Sequence, residues 1–252
     1  MAQNLDRWLG GRRILEVQTP DEKFQGVGLD AVVGSTVRRA WRRAKYAVVD
    51  LDCGRSLVFH YRMTGKTVLD PEGLRRARLR IVVEPFAVVS FEDVRRFGEV
   101  WCMPTAELSD FFDRKSLGPE PWPDVRGGPW WAEALAGLRG PIKTVMMRQE
   151  RVAGVGNIIA SEALFLAGID PRVSAVNLDD EQWSRLAQGV RTVIDRTLDA
   201  ESGDEIAYVN AGGEGSFLVY GHAGEPCPRC GDEIVRIVQA SRGTFYCPSC
   251  VG

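Results

Sequence analysis

The stretch Val152-Ala-Gly-Val-Gly-Asn157-Ile-Ile-Ala-Ser-Glu162-Ala-Leu-Phe-Leu-Ala-Gly168-Ile-Asp-Pro171 organises the reading of the whole chain. Gly154 and Gly156 carry no Cβ, so the backbone there can come close to a phosphate. A helix beginning near Asn157 points its free N-terminal amides at the same place, and the Asn157 side chain adds a donor. The helix predicted from Asn157 to Ala167 stops at Gly168, the residue type that ends helices in the left-handed conformation. A glycine-rich helix start is by itself also an ordinary cap, so the twenty residues count as a block.

Toward the C-terminus, a longer helix is predicted at about Asp179 to Asp199, with Trp183, Leu186, Val190, Ile194 and Leu198 on one face. Residues 201–225 are Gly-rich and read as loop. The chain then ends in a cysteine module, Cys227-Pro-Arg-Cys230 and Cys247-Pro-Ser-Cys250, two C-x2-C pairs sixteen residues apart. Each pair offers two thiolates from one tight turn, and two such turns complete a tetrahedral zinc site. Disulfides and redox dithiols are the alternatives; disulfides fit poorly with a chain read as cytoplasmic. Four cysteine ligands leave no open position, so the expected metal is one structural Zn2+ per chain. The segment Glu233 to Tyr246 is β-rich and about the length of a hairpin. Arg242 falls on its returning strand or turn, where it reaches a phosphate or is simply an exposed arginine. Cys53 and Cys102 lack this spacing and are expected to be buried structural thiols.

Toward the N-terminus, helical periodicity covers Trp130 to Leu138 and Ile142 to Arg148. Leu117-Gly-Pro-Glu-Pro121 reads as an interdomain linker. Residues 12–102 read mostly as strands, with a hairpin turn at Cys53-Gly54-Arg55 and another turn at Glu84-Pro85. Short strands separated by turn signals suggest a β-sandwich or a barrel. Asn4 to Leu9 is a short helix stopped by Gly10 and Gly11.

Composition bounds the function. The 252 residues are 44% hydrophobic and 26% charged, ordinary values for a globular protein of two domains. No apolar run reaches the roughly 18 residues needed to span a bilayer. The first thirteen residues contain no secretory-type apolar segment. A cytoplasmic protein with no membrane partner is expected. A net charge of −2 excludes a generally sticky polyanion binder. Charge is nonetheless clustered: Arg38, Arg39, Arg42, Arg43 and Lys45, then Arg75, Arg76, Arg78 and Arg80, then Arg95 and Arg96. Either a basic face on an acidic body or solvated surface explains this.

In chain order these segments resemble the formamidopyrimidine-DNA glycosylase / endonuclease VIII family. Residues 152–171 resemble its helix–two-turn–helix motif. Arg43-Ala-Lys45-Tyr46 resembles the strand with its catalytic-site lysine. His60-Tyr-Arg-Met63-Thr-Gly65 looks like the loop whose methionine fills the gap left by a flipped nucleotide. Asp93-Val-Arg95-Arg96-Phe97-Gly98 is similar to the segment whose arginine and phenylalanine wedge into the duplex. Lys143 matches a phosphate-contacting lysine, and Ser241 to Cys247 a zinc-finger turn whose arginine contacts DNA.

The resemblance implies an α+β fold: an N-terminal antiparallel β-sandwich at 1–116, a helical helix–two-turn–helix domain at 117–220 and a zinc-finger β-hairpin at 221–252. It implies a DNA glycosylase with abasic-site lyase activity that removes oxidised bases in base excision repair. The partner is double-stranded DNA containing damaged bases or abasic sites, and the chain is expected to act as a monomer. Lys45 and Arg242 are implied catalytic groups. Met63, Arg95, Arg96, Phe97, Arg139, Lys143 and Asn157 are implied DNA contacts. Cys227, Cys230, Cys247 and Cys250 hold the metal. Met63 and Phe97 have a plainer reading as core residues, and His60 reads as a packed strand histidine.

Some positions depart from the family pattern. The family begins Met-Pro-Glu, and the proline's secondary amine attacks C1′ of the damaged nucleotide. This sequence starts Met1-Ala-Gln-Asn4-Leu-Asp6, and its first proline is Pro20. Aligning Asn4 to Ile14 with the family's first helix leaves roughly ten residues of the pattern absent, about 15 Å at ~1.5 Å per residue. A truncated reading of an active enzyme, a catalytically inactive lesion-binding protein, and an enzyme using another amine such as Lys45 are the three expectations. Residues 203–221 are short beside the lid that some members close over 8-oxoguanine, leaving base preference open.

Overall fold

The structure, a computed structural model, describes residues 1–70, 72, 76–124, 126–200 and 217–251. These form two compact units, residues 1–114 and residues 115–200 together with the described C-terminal residues.

The first unit contains α1 (Ala2–Leu9), β1 (Ile14–Gln18), β2 (Val37–Arg43), β3 (Tyr46–Leu51), β4 (Arg55–His60), β5 (Gly65–Leu69), β6 (Leu79–Val83), β7 (Ala87–Asp93), β8 (Glu99–Pro104) and α2 (Leu108–Arg114). The strands make two antiparallel four-stranded sheets, ordered β1-β6-β7-β5 and β2-β3-β4-β8. Two separate sheets make this a sandwich rather than a closed barrel. Val49, Leu51, Leu57 and Phe59 of one sheet share a core with Ile81, Val83, Val89 and Phe91 of the other. Leu5, Trp8 and Leu9, at helical spacing on α1, enter the same core. Burying each such side chain stabilises the unit by about 1.5–3 kcal/mol.

β3 is buried along its whole length because both faces are covered. Ala47 and Val49 face the core. On the other face the Tyr46 ring packs against Phe111 and Phe112 of α2, at centroid distances of 5.8 and 5.7 Å.

One cross-strand row positions the candidate site: Arg43 pairs with Tyr46, Tyr46 with His60, and His60 with Glu99. Beyond that row lie the two-residue turn Ala44-Lys45, the loop 61–64 and the loop 94–98. The second sheet meets the same two loops at the pair Gly65 and Asp93.

The second unit contains α3 (Gly128–Ala134), α4 (Ile142–Met146), α5 (Asn157–Ala167), α6 (Asp180–Ala200), β9 (Val235–Gln239) and β10 (Arg242–Tyr246). α5 has the predicted limits; Gly168 ends it at φ 66°, and the Ile169 amide closes back on the Leu164 carbonyl at 3.0 Å. α5 and α6 approach closely because Gly189 has no side chain: a Cβ there would lie 2.6 Å from the Ala163 carbonyl oxygen. The hairpin β9–β10 turns through Ala240 and Ser241, both at positive φ. Phe165 of α5 packs with Val219, Cys227, Ile234 and Cys247, so the hairpin is built onto that helix.

Several expectations are corrected. α3 begins at Gly128 with a proline in its first turn and stops at Ala134, earlier than the predicted Leu138. Cys53 is exposed, because it occupies the tip of the β3–β4 turn. Cys102 is half-buried on β8 and accepts the Arg55 Nε–H at 3.3 Å. Most of the predicted 201–225 loop lies outside the described residues. Among the described residues no helix is long and apolar enough to cross a membrane.

Candidate nucleic-acid interface

In the first unit Met63 and Phe97 are exposed at 66% and 49%, which rules out their reading as core residues. Arg95 joins them. Its Nη1 donates toward Met63 Sδ at 3.4 Å, and its guanidinium lies 4.9 Å from the Phe97 ring centroid. Two loops distant in sequence therefore present one apolar and cationic tip. Exposing large apolar side chains together is unfavourable in a free protein and marks a surface that meets another molecule.

Arg96, next in sequence, behaves differently. It adopts φ 59°, and its Nη2 donates to Asp21 Oδ1 at 2.6 Å. The Asp21 side chain is almost fully buried. Burial alone raises its carboxyl, but the Lys23 amide and the Arg96 and Arg78 guanidinium groups outweigh that and hold it below the ordinary carboxylate range. In the free protein the Arg96 guanidinium braces the loop against the body of the sandwich, while its side chain remains 54% exposed.

Lys45 is exposed in its turn, where Ala44 adopts φ 51°. His60 packs edge-on against Tyr46 at 4.7 Å and accepts the Arg62 amide on Nδ1 at 3.2 Å. Burial, then the Arg62 charge, lowers its pKa to about 4. It is a neutral packed histidine, as read from the sequence.

In the second unit the N-terminus of α5 has no side-chain cap, since Gly156 stands at that position. The loop before it is held by Gln149, whose Nε2 donates to the carbonyls of Met147 and Val155 at 2.7 and 2.8 Å and whose Oε1 accepts the Gly154 amide at 3.0 Å. The Asn157 side chain donates from Nδ2 to the Gly243 carbonyl at 3.0 Å and approaches the Tyr220 hydroxyl at 3.5 Å.

Lys143 lies beneath Asn157 with no exposed surface. Its Nζ donates to Asn157 Oδ1 at 2.6 Å, the Gly243 carbonyl at 2.9 Å and Thr244 Oγ1 at 2.7 Å. An ammonium has three N–H donors, and all three are committed. In the free protein Lys143 thus fixes Asn157 and the hairpin. Burial, then the Arg242 charge, lowers its pKa to about 8. Arg242 itself is exposed at the start of β10, and Arg139 is exposed ahead of α4.

Cys227, Cys230, Cys247 and Cys250 place their sulfurs within 4.8 Å of one another. Sγ pairs stand 3.7 Å (Cys227 and Cys250) and 3.5 Å (Cys230 and Cys247) apart. A regular tetrahedron with Zn–S bonds of about 2.3 Å has sulfurs about 3.8 Å apart, so the four thiols fit zinc. Their protonation agrees. Burial opposes ionisation of Cys227, yet the amides of Arg229 and Cys230 bring it to about 7, while burial and the neighbouring thiols push Cys250 up to about 12. Such a cluster becomes fully ionised only around a cation.

Two positioning residues escaped the sequence reading, Gln149 and Glu162. The buried Glu162 carboxylate accepts the amides of Leu218, Val219 and Tyr220 at 2.7, 2.9 and 2.8 Å, which sets Tyr220 beside Asn157. A charged glutamate inside a mostly apolar helix was the available signal.

Sandwich, glycine-started helix and four-cysteine hairpin define a zinc-finger, helix–two-turn–helix protein. Family models match along the chain: the formamidopyrimidine-DNA glycosylase N-terminal domain at residues 1–100, its H2TH domain at 117–207 and the zinc finger found in FPG and IleRS at 224–251. A formamidopyrimidine-DNA glycosylase of Rhizorhabdus wittichii is 36% identical over 96% of this chain and 93% of its own length. One from Gluconobacter oxydans is 38% identical over 83% and 80%. The Lactococcus lactis Fpg solved with abasic-site DNA superimposes with a TM-score of 0.86 at 28% identity, covering 99% of this chain and 96% of that one. The same enzyme solved with FAPY-dG DNA gives a TM-score of 0.85. The chain belongs to the formamidopyrimidine-DNA glycosylase family.

Proposed function

We propose that this protein excises oxidised bases from double-stranded DNA and cleaves the strand at the resulting abasic site, in base excision repair. The observation that carries the reading is the convergence of Met63, Arg95 and Phe97 into one exposed tip. A base inside a duplex is out of reach of any catalyst, so its nucleotide must leave the stack. Apolar wedges and an arginine occupying the vacated space offset the unstacking cost of a few kcal/mol. The family membership and the relatives solved on abasic and FAPY-dG DNA support the same activity.

Asn157, Arg139 and the amides at the start of α5 are assigned to phosphate contacts, which position the duplex without reading sequence. Lys45 and Arg242 are assigned to the sugar and phosphate chemistry. One structural zinc, held by the four cysteines, supplies the folding energy of the hairpin that carries Arg242. The chain acts as a monomer in the cytoplasm, and its working parts divide at 116/117 and 220/221.

The test is a pair of assays on duplexes carrying an oxidised base, an abasic-site analogue or no lesion. Tighter binding to the abasic analogue, weakened by salt, is expected. Strand cleavage should occur at the oxidised base. Equal affinity for damaged and intact duplex would refute lesion recognition. Preference without cleavage would assign the chain to lesion binding instead.

A further inference from the structure

We propose that Asp93 is a positioning residue that couples the Met63 loop to the Arg95–Phe97 loop, so that the wedge enters DNA as one rigid piece. This rests on the lesion-recognition reading above.

Asp93 is the last residue of β7 and is paired with Gly65, the first of β5, at the point where the two loops diverge. Its side chain is buried at 3% exposure. One carboxylate oxygen accepts the Thr64 hydroxyl, on the Met63 loop. The other accepts the Gly98 amide at 2.6 Å, on the Arg95–Phe97 loop. Thr64 Oγ1 in turn accepts the Arg95 amide at 3.2 Å. The chain of bonds Gly98–Asp93–Thr64–Arg95 therefore crosses between the loops twice. Gly98 is required for this closeness: a Cβ there would lie 3.0 Å from Asp93 Oδ2 and 2.6 Å from the Phe91 ring.

The outer side of the same loop is also fastened. Lys23 Nζ donates to the carbonyls of Arg96 and Gly98 at 2.9 and 2.6 Å. Arg78 Nε donates to the Asp93 carbonyl at 3.0 Å, and Arg96 binds Asp21. The backbone of the loop is tied down while Val94, Arg95 and Phe97 remain exposed.

The physical consequence concerns entropy. Two loops that move independently must each be ordered when the tip enters the stack, and that cost is subtracted from binding to damaged DNA. A buried carboxylate shared between them meets the cost during folding. Intact duplex bound through phosphates alone does not draw on it, so the tie acts on lesion preference.

The experiment uses the full chain and its Asp93→Asn, Thr64→Val and Thr64→Ser variants. The probe is a duplex with a tetrahydrofuran abasic analogue opposite 2-aminopurine, whose fluorescence rises when it loses its stacking; the control is the intact duplex. Asp93→Asn removes the charge of the tie and risks the fold. Thr64→Val, which is isosteric, keeps the test open. Thr64→Val should keep its zinc and its affinity for intact duplex, lose about tenfold of the abasic preference, or about 1.4 kcal/mol, and show a smaller fluorescence rise. Thr64→Ser should restore both. Parent-like preference and fluorescence in Thr64→Val overturns the proposal, as does an equal loss of both affinities, which indicates a purely structural role. If the parent protein shows no abasic preference, the functional reading itself has failed and this proposal falls with it.

Discussion

Replacing Lys143 with methionine tests whether the buried ammonium organises the second unit. Methionine keeps the length and apolar character of the side chain and removes its three donors. The donors serve Asn157 Oδ1, the Gly243 carbonyl and Thr244 Oγ1 at 2.6, 2.9 and 2.7 Å. Hydrogen bonds to a charged group contribute about 1.5–3 kcal/mol each, so the gross loss is roughly 5–9 kcal/mol. Against this stands the relief of a buried charge. The pKa falls from 10.5 to about 8, chiefly through burial, which corresponds to at most about 3 kcal/mol. Gly243 O also keeps its bond from Asn157 Nδ2, and Thr244 keeps its bond to Gln239. The net destabilisation expected is about 2–4 kcal/mol, a fall of roughly 5–15 °C in melting temperature for a protein of this size.

Two further readouts bear on the same substitution. With its Oδ1 unpartnered, Asn157 is held only through Nδ2, to the Gly243 carbonyl and the Tyr220 hydroxyl, so affinity for damaged and intact duplex should fall together. The pH dependence has a definite sign. Because the folded pKa is lowered, the cost of the buried charge is present below about 8, and it is relieved as pH rises from there toward the unfolded value. The stability advantage of the parent over Lys143→Met should therefore grow across that window. Thermal melting, zinc content and DNA affinity measured side by side decide the matter. A variant that melts within about 1 °C of the parent and binds DNA equally would refute the reasoning.

For His60, the folded pKa of about 4 lies below the ordinary 6.5, so its contribution is complete above 6.5 and is lost as pH falls toward 4. After allowance for partial solvation this amounts to about 1–2 kcal/mol, and His60→Phe should flatten that part of a denaturation-versus-pH curve. Metal analysis should find one zinc per chain; less than about half an equivalent, with no loss on Cys227→Ser, would exclude the site. Arg95→Ala should reduce the preference for an abasic analogue while leaving intact-duplex affinity nearly unchanged, measured by competition binding; an even loss would mean that Arg95 only contacts phosphate. Gly98→Ala should destabilise the first unit by about 1–3 kcal/mol in chemical denaturation, because the new methyl overlaps Phe91; an unaltered midpoint would show that the loop yields instead.

Local determinants carried much of this protein into view from the amino-acid order alone. α5 begins and ends where its glycines place the boundaries, because a helix start and a left-handed stop are chosen by the residues at those points. The two C-x2-C turns specify their ligands through short-range geometry, and the β3–β4 hairpin follows its own turn residues. Met63, Arg95 and Phe97, and their shared place in the vacated stack, were legible from the family pattern; the means of bringing them together, Asp93 paired with Gly65 across the second sheet, was not. Adjacent arginines made the limit plain. Arg95 and Arg96 are chemically identical, yet the left-handed backbone at Arg96 turns it onto Asp21, seventy-five residues earlier, while Arg95 stays at the tip. Lys143 is the same case in the second unit: its acceptors come from α5 and from a strand a hundred residues away. Whether a charged side chain meets solvent or a buried acceptor is settled by which distant segments fold over it, and that information exists only once the tertiary contacts have formed.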